Sequence, residues 1–315
     1  MKFTKMHGCG NDYIYVNGFE EKVAKEWKPE LARRLSHRKH GIGGDGLIFI
    51  NPSEKADFAM EMFNADGTRA QMCGNGIRCV GKYVYDKGMT DAMYLTVESG
   101  GEVKYLELML GQEEEGPDVG RASLEMCHDA GKELEEVTDR ELSCTGKRDT
   151  VKSVRVNMGT PVLSPLLIPV LAEGDSAVNV PIVAGGREYR MTCVSMGNPH
   201  AVIFVNEPDR IPLEETGPLF EHHTRFPERV NTEFVEVVDR GHCFLRVWER
   251  GTGETLACGT GACAAVVAGV LNDLTKEQVR VTMPGGELFV EWDRNTNLVY
   301  MTGPAVTVFD GEINI

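Results

Sequence analysis

The chain has 315 residues, which is long for one hydrophobic core and typical of two domains. Its hydrophobic content of 42% and its lack of a long apolar run favour a soluble protein over a membrane-spanning one. The formal net charge of −15 argues against a nucleic-acid partner, because phosphate recognition needs a basic face, but it permits a small zwitterionic ligand. The first residues contain no apolar signal-peptide core, so we expect a cytoplasmic protein.

The predicted elements of the first 160 residues alternate between strands and helices. In chain order they are a strand in "GNDYIYV", a helix in "PELARRLSHRKHG", strands in "LIFI" and "FAMEMF", and a helix from about Gly76 to Lys87. Residues 101–153 contain acidic, poorly patterned stretches. We interpret them as an irregular surface insertion without chemistry.

The second part of the chain continues the α/β pattern. It begins with a strand in "GNPHAVIFV" and a strand-like run in "FLRVWE", followed by an Ala-rich helix in "GACAAVVAGVL". A hairpin turning on Pro284-Gly285-Gly286 and two strands in "NLVYMTGPAVTVFDGEI" complete the chain.

Three sequence elements occur twice in the same order. A Gly-Asn pair precedes an apolar run, a polar residue ends a second run, and a Cys-Gly-x-Gly turn precedes a helix. The paired positions are Asn11 and Asn198, Asn64 and Glu249, and Cys73 and Cys258. The Asn-to-Cys distance is 62 residues in one copy and 60 in the other. This matched spacing predicts two homologous halves that face each other across a cleft.

Nine cysteines and no export signal favour reduced thiols over a disulfide framework. The gaps between neighbouring cysteines do not match a zinc knuckle, so we predict no metal site. The turns "GIGGDG" and "CGTG" match neither nucleotide-binding pattern. Six cysteines are predicted to be buried structural residues: Cys79, Cys127, Cys144, Cys193, Cys243 and Cys263.

Cys73 and Cys258 each precede a predicted helix, where free backbone amides and the helix dipole should lower a thiol pKa. The same amides can bind a carboxylate. Two thiols on opposite faces of an amino acid could remove and return the α-proton, which inverts that carbon. A redox pair is a weaker alternative, because two thiols with a substrate between them are held apart. A single nucleophilic thiol is also weaker, because it explains one motif and leaves the other without a role.

Four separated motifs resemble those of the diaminopimelate epimerase family, whose members are pyridoxal-independent racemases and epimerases. The motifs are "GCGNDYIYV", "FNADGTRAQMCGNGIRC", "GNPHAV" and "ERGTGETLACGTGACAA". The resemblance covers about residues 3–313. It implies an α/β (α+β) fold of two pseudo-symmetric lobes, each a curved, mostly antiparallel sheet wrapped around a central helix, with the active site in the cleft between them. It implies an isomerase that interconverts LL- and meso-diaminopimelate in lysine biosynthesis without a cofactor. We also expect a homodimer.

The resemblance places the N-terminal lobe, with Cys73, at residues 1–157 plus about 304–315, and the C-terminal lobe, with Cys258, at 158–303. Cys73 resembles the proton donor and Cys258 the proton acceptor. The implied substrate-binding residues are Asn11, Asn64, Gly74, Asn75, Asn198, Asn231, Glu249, Arg250, Gly259 and Thr260, with His200 as a supporting residue.

Two departures from the family are visible in the sequence. Gly46 stands where the family often has Gln, so that contact is either absent or made by the backbone, and residues 101–153 look longer than usual. The nearest rival is a two-thiol proline or hydroxyproline racemase, but those relatives favour His where this chain has Asn75. Rivals of other classes are a non-catalytic amino-acid binding protein and a thiol–disulfide oxidoreductase.

Overall fold

The computed structural model describes residues 1–70, 73–111 and 149–315. In these residues one continuous, mostly antiparallel sheet of 18 strands packs around helices, which makes the fold α+β as predicted. No helix of the described residues is long and apolar enough to cross a membrane.

The elements fall into two series. The first contains β1 (Lys2–Gly8), β2 (Asn11–Asn17), α1 (Lys28–Ser36), β3 (Gly46–Asn51), β4 (Phe58–Asn64), β5 (Arg69–Ala70), α2 (Gly74–Asp86), β6 (Tyr94–Ser99), β7 (Glu102–Gly111) and β8 (Thr150–Gly159). The second contains β9 (Val180–Ala184), β10 (Arg187–Ser195), β11 (Pro199–Phe204), α3 (Leu213–Glu221), β12 (Asn231–Asp239), β13 (His242–Glu249), β14 (Gly253–Thr255), α4 (Gly259–Leu271), β15 (Gln278–Met283), β16 (Gly286–Asp293), β17 (Leu298–Pro304) and β18 (Val306–Glu312). Single turns of 3₁₀ helix cover Lys25–Trp27 and Pro208–Arg210.

The two series repeat one pairing scheme. In the first, β1 pairs antiparallel with β2, β2 pairs parallel with β3, and β4 pairs parallel with β6. In the second, β10 pairs antiparallel with β11, β11 pairs parallel with β12, and β13 pairs parallel with β15. Helices α2 and α4 occupy the same place in each series. The predicted duplication is therefore confirmed at the level of topology.

Two pairings join the halves into one sheet. Strand β8 pairs antiparallel with β17, so that Val156 lies opposite Met301. The last strand, β18, returns to pair antiparallel with β1. Because the sheet is continuous, the lobe boundaries at residues 157 and 304 stay a prediction.

Helices α2 and α4 lie at the centre and have 13 residues each. Residues Gly74–Tyr85 of α2 are all buried, and most of the Ala-rich α4 is buried as well. A helix that is apolar all round belongs in a core, and both helices contribute to one hydrophobic cluster that spans the halves. Each ends near a residue with a left-handed backbone, Gly88 and Asp273.

The remaining elements test the sequence predictions directly. The helix in "PELARRLSHRKHG", the hairpin of β15 and β16, and the two strands β17 and β18 are confirmed. The prediction of an irregular 101–153 segment is wrong at both ends. Strands β7 and β8 lie there and pair with each other through a β-bulge. Residues 112–148, with Cys127 and Cys144, lie outside the described residues.

Candidate active site

The two predicted thiols are the N-caps of the central helices. Cys73 caps α2 with φ −137° and ψ 114°, and Cys258 caps α4 with φ −121° and ψ 112°. Each sulfur accepts a hydrogen bond from the backbone amide three residues on, at 3.3 Å from Gly76 and 3.4 Å from Gly261. The duplicated sequence thus produces two nearly identical thiol–amide arrangements.

The two helix starts meet directly. A Cβ added to Gly74 would lie 3.9 Å from the Cα of Gly259, and a Cβ added to Gly259 would lie 3.8 Å from the Cα of Gly74. The side-chain amide of Asn75 donates across this junction to the carbonyl of Ala257 at 3.4 Å. Glycine at both positions permits this approach, so both sets of N-terminal amides converge on one region.

Cys73 is held by polar groups of the first half. Its sulfur donates to Asn11 Oδ1 at 3.2 Å, and Asn11 Nδ2 donates to Asp45 Oδ2 at 2.8 Å. The Tyr13 hydroxyl also acts on this thiol and lowers its pKa. Asn64 stands apart, because its amide donates to Thr68 Oγ1 at 3.0 Å.

Cys258 lies beside a carboxylate. The charge of Glu249 acts on its thiol, and its sulfur lies 3.4 Å from the Thr260 hydroxyl. The Thr255 hydroxyl donates to Oε1 of the Glu249 carboxylate. Glu249 is therefore placed to act on this thiol directly.

A buried acid–histidine pair supports the second half. His200 Nδ1 lies 2.7 Å from Glu233 Oε1, and both residues are 0% exposed. His200 Nε2 lies 3.0 Å from Asn198 Oδ1. Glu233 Oε2 is buried and has no hydrogen-bond partner among the described residues. The pair therefore lies behind the start of α4, where a Cβ added to Gly261 would lie 2.6 Å from Glu233 Oε1.

The predicted distal residues form a linked set. Asn231 donates to the carbonyl of Pro199 at 2.9 Å and accepts from the backbone amide of Arg250 at 2.9 Å. The Arg250 guanidinium donates to the carbonyl of Glu228 at 2.9 Å. Asn231 also lies opposite His200 in the register of β11 and β12. The structure therefore joins Asn198, His200, Asn231 and Arg250, whereas Asn64 bonds only within its own turn.

Burial raises the pKa of the Cys73 thiol, while the Gly76 amide and the Tyr13 hydroxyl act to lower it. Burial raises the pKa of Cys258 well above its ordinary value, and the charges of Glu249 and Glu233 add to that rise. Burial also raises the pKa of Glu249. The predicted net lowering of the thiol pKa values is thus wrong here, because desolvation outweighs the helix amides.

Sequence reasoning missed four residues of this region: Tyr13, Asp45, Glu233 and Thr255. Tyr13 and Asp45 lie inside or beside quoted motifs, so their polar side chains next to glycines were a usable signal. Glu233 lies within an apolar strand and faces inward, which only the three-dimensional packing reveals.

The structure explains the missing side chain at position 46. A Cβ there would lie 2.1 Å from the carbonyl oxygen of Phe63 and 2.9 Å from the Tyr13 ring. Only glycine fits this position without a local shift. The Tyr13 side chain occupies the adjoining space and reaches the Cys73 sulfur instead.

Four of the cysteines predicted to be structural are buried free thiols, Cys79, Cys193, Cys243 and Cys263, and Cys9 is buried and free as well. A cavity of about 770 Å³ lies in the second half, lined by Arg187, Arg190 and Arg210 among others. It contains none of the predicted site residues. The two helix-capping thiols therefore remain the chemical centre that the described residues support best.

Comparison with known proteins places the chain in a family. The profile of the diaminopimelate epimerase family matches residues 3–124 and 192–308. A diaminopimelate epimerase from Acetivibrio thermocellus is 50% identical over 100% of this chain and 99% of its own length. The corresponding proteins of Agathobacter rectalis and Methanococcus maripaludis are 49% and 46% identical over the full length of both chains.

Solved structures with the same fold are more distant in sequence. A phenazine biosynthesis protein of the PhzF family from Bacillus anthracis has a TM-score of 0.63 at 15% identity, covering 100% of this chain and 99% of its own. A hydroxyproline epimerase from Agrobacterium vitis has a TM-score of 0.63 at 13% identity, covering 99% and 90%. These likenesses concern the fold. The profile match and the full-length relatives show that this chain belongs to the diaminopimelate epimerase family.

Proposed function

We propose that this protein is a diaminopimelate epimerase, which interconverts LL- and meso-diaminopimelate in lysine biosynthesis by a two-base proton transfer. One observation carries the proposal. Cys73 and Cys258 cap two central helices whose starts meet at Gly74 and Gly259. A carbon held at that junction has one thiol available on each side, which inversion requires.

The α-carboxylate of the substrate binds between the two helix starts. The backbone amides of Gly74 and Asn75 serve one side, and those of Gly259 and Thr260 serve the other. Loss of the α-proton moves negative charge onto this carboxylate. Fixed amides aimed at it therefore stabilise the transition state more than the ground state.

The α-ammonium binds at Glu249, whereas Asn64, whose side chain donates to Thr68, stays a predicted substrate-binding residue. The charge of Glu249 is the main electrostatic reason for the high pKa of Cys258, after burial. An ammonium paired with this carboxylate offsets its charge and lowers the pKa of Cys258. Substrate binding thereby prepares Cys258 to accept the α-proton.

Cys73 donates the proton to the opposite face. Its contacts with Asn11 and Tyr13 orient the sulfur and stabilise the thiolate that forms. The reaction is reversible, so the donor and acceptor exchange roles in the other direction. The two thiols supply both proton transfers, and this scheme requires no cofactor or metal.

The distal amino-acid end of the substrate is read by Asn11, Asn198, Asn231 and Arg250. A guanidinium and several amides suit a second carboxylate and ammonium. A proline-like ring has no such distal group, so this set favours diaminopimelate over the ring substrates of the two-thiol racemases. The Asn198–His200 contact fixes one of these amides.

The test is hydrogen exchange at the α-carbon in deuterium oxide, read by NMR. The wild-type protein should incorporate deuterium into LL- and meso-diaminopimelate and leave proline unlabelled. Cys73→Ala and Cys258→Ala should each lower epimerisation at least about 10³-fold while remaining folded. Labelling of proline would favour the racemase. Tight binding of diaminopimelate without exchange would favour a binding protein, and near-normal turnover by either variant would refute the two-base scheme.

We also propose a cytoplasmic homodimer. The free thiols of the described residues suit a reducing compartment. Val308 and Phe309 of β18 are 53% and 46% exposed, which offers apolar surface for a second copy. Light scattering should give a mass near 69 kDa, twice the 34.7 kDa of one chain. A concentration-independent mass of one chain would contradict the dimer.

A further inference from the structure

Arg78 is a fully buried cation near the first thiol. Its side chain is 0% exposed, and it is among the largest fully buried side chains of the described residues. Buried arginines are normally paired with a carboxylate, because an isolated charge is expensive to desolvate. Among the residues that the structure describes, no carboxylate forms an ion pair with Arg78; its partners are neutral.

These neutral partners lie at the start of α2 and at the end of β17. The guanidinium donates to the carbonyl of Gly74 at 3.2 Å, to Asn75 Oδ1 at 2.9 Å and to the carbonyl of Pro304 at 3.2 Å. It also lies 3.7 Å from the sulfurs of Cys9 and Met301. The cation therefore touches the turn that contains the first thiol.

Two glycines make room for this guanidinium. A Cβ on Gly8 would lie 2.9 Å from Arg78 Nη2, and a Cβ on Gly303 would lie 3.1 Å from its Cζ. The cation therefore packs closely between two stretches of backbone and is held in one place.

The repeat does not supply a second cation. Arg78 lies five residues after Cys73, and the position five residues after Cys258 is Cys263. Cys263 is 0% exposed, and the charge of Arg78 acts on its thiol. One half of the duplicated site thus has a fixed positive charge, while the other has the carboxylates of Glu249 and Glu233 around its thiol.

We propose that Arg78 is a positioning residue that stabilises the thiolate of Cys73 through the Gly74–Asn75 peptide. The guanidinium donates to the Gly74 carbonyl. The amide on the other side of that peptide belongs to Asn75, two residues after Cys73, and it is among the groups that lower the pKa of the Cys73 thiol. A cation on the carbonyl polarises the peptide and strengthens the amide as a donor. This inference rests on the proposed function for its catalytic consequence.

The missing counter-charge appears during the reaction. When Cys73 gives up its proton, the new thiolate balances the buried cation, and so does the substrate carboxylate at the same amides. Arg78 is then a preorganised positive charge whose partner exists only with substrate bound or in the transition state. Its removal should therefore affect the ionisation of Cys73 and the chemical step together.

The test compares R78M and R78K with the wild type. R78M removes the charge and should lower kcat/KM for diaminopimelate about 10²-fold. It should also raise the midpoint of the pH dependence of Cys73 alkylation by about one pH unit, read by mass spectrometry. R78K keeps the charge and should leave that midpoint within about 0.3 pH units of the wild type. K82M is the matched control, because Lys82 lies one turn on, is buried, and pairs with Asp86 at 2.6 Å.

The outcomes separate the two proposals. A folded R78M with kcat/KM within threefold of the wild type, or with an unchanged midpoint, would overturn the role of Arg78. If R78M does not fold, R78K decides: a folded R78K whose midpoint rises by about one pH unit also overturns it. A wild-type protein that fails to exchange diaminopimelate would refute the proposed function, while the alkylation midpoint would still test the effect of Arg78 on Cys73.

Discussion

Replacing Glu249 with Gln should change two properties of the protein in opposite directions. After burial, the charge of Glu249 is the largest contribution to the raised pKa of the Cys258 thiol. E249Q keeps the shape and removes the charge. The Cys258 thiol should therefore ionise more easily in the variant, although the site loses its partner for the substrate ammonium.

The magnitude follows from Coulomb's law. Two charges about 4 Å apart in a protein site of effective dielectric constant about 20 interact with roughly 4 kcal/mol, which corresponds to a pKa change of about 3. Removing the charge should therefore lower the pKa of Cys258, and near pH 8 its thiolate population should be about 10²-fold larger. Losing a buried partner of a charged group weakens binding by about 2–5 kcal/mol, so kcat/KM should fall on the order of 10²–10³-fold.

The assay labels the protein with a small alkylating reagent and reads each cysteine by mass spectrometry. The ratio of Cys258 to Cys73 labelling at pH 8 should rise about 10²-fold in E249Q, while deuterium exchange into diaminopimelate falls. E254Q is the control, because Glu254 lies nearby in sequence but pairs with Arg246 at 2.8 Å. A folded E249Q whose labelling ratio equals that of the wild type would refute the electrostatic reasoning.

Three further predictions concern single side chains. Tyr13→Phe removes a hydrogen bond that lowers the pKa of Cys73, so the alkylation midpoint of that thiol should rise by about one pH unit; an unchanged midpoint would show that the hydroxyl has no such effect. Glu233→Gln should increase the alkylation of Cys258, but less than Glu249→Gln does, because the charge of Glu249 raises the pKa of Cys258 more than that of Glu233 does. A larger increase in Glu233→Gln than in Glu249→Gln would contradict this order of the two charges. Burial raises the pKa of Cys263 to about 12, whereas an unfolded thiol ionises from about pH 8.5, so raising the pH favours unfolding. From pH 8 to pH 10 the wild type should lose about 2 kcal/mol more unfolding free energy than Cys263→Ala in urea titrations, and equal losses would argue against this protonated thiol.

The duplicated motifs predicted the centre of the structure from sequence alone. Matched spacing placed Cys73 and Cys258 before two helices, and both are helix N-caps with almost the same backbone angles. This succeeded because helix capping and glycine turns are local properties of the chain. Three polar residues of the second half that the family resemblance implied, Asn198, His200 and Asn231, lie close together.

Two expectations failed because they depend on contacts between distant residues. Strand β8 was hidden because its buried residues Val151 and Val154 break the alternation of a regular strand. The break is a β-bulge, in which the register shifts between Met109 and Leu110 of the partner strand. The prediction that the thiol pKa values are lowered failed for a similar reason. The amides near the thiols can be read from the sequence, but the degree of burial and the charge of Glu233 cannot.

The two copies of this duplicated site have the same backbone geometry around the thiol but different charges. The backbone around the two thiols is almost identical, because the same Cys-Gly-x-Gly turn begins both helices. The charges are opposite in sign, because Arg78 has Cys263 as its counterpart and Glu249 has Asn64. Two identical thiols would ionise equally and give no order to the proton transfers. In the reaction that we propose, the difference between these two positions supplies that order. The Glu249 carboxylate beside Cys258 binds the substrate ammonium before the proton is removed. The Arg78 cation stabilises the Cys73 thiolate that forms after the proton has been transferred.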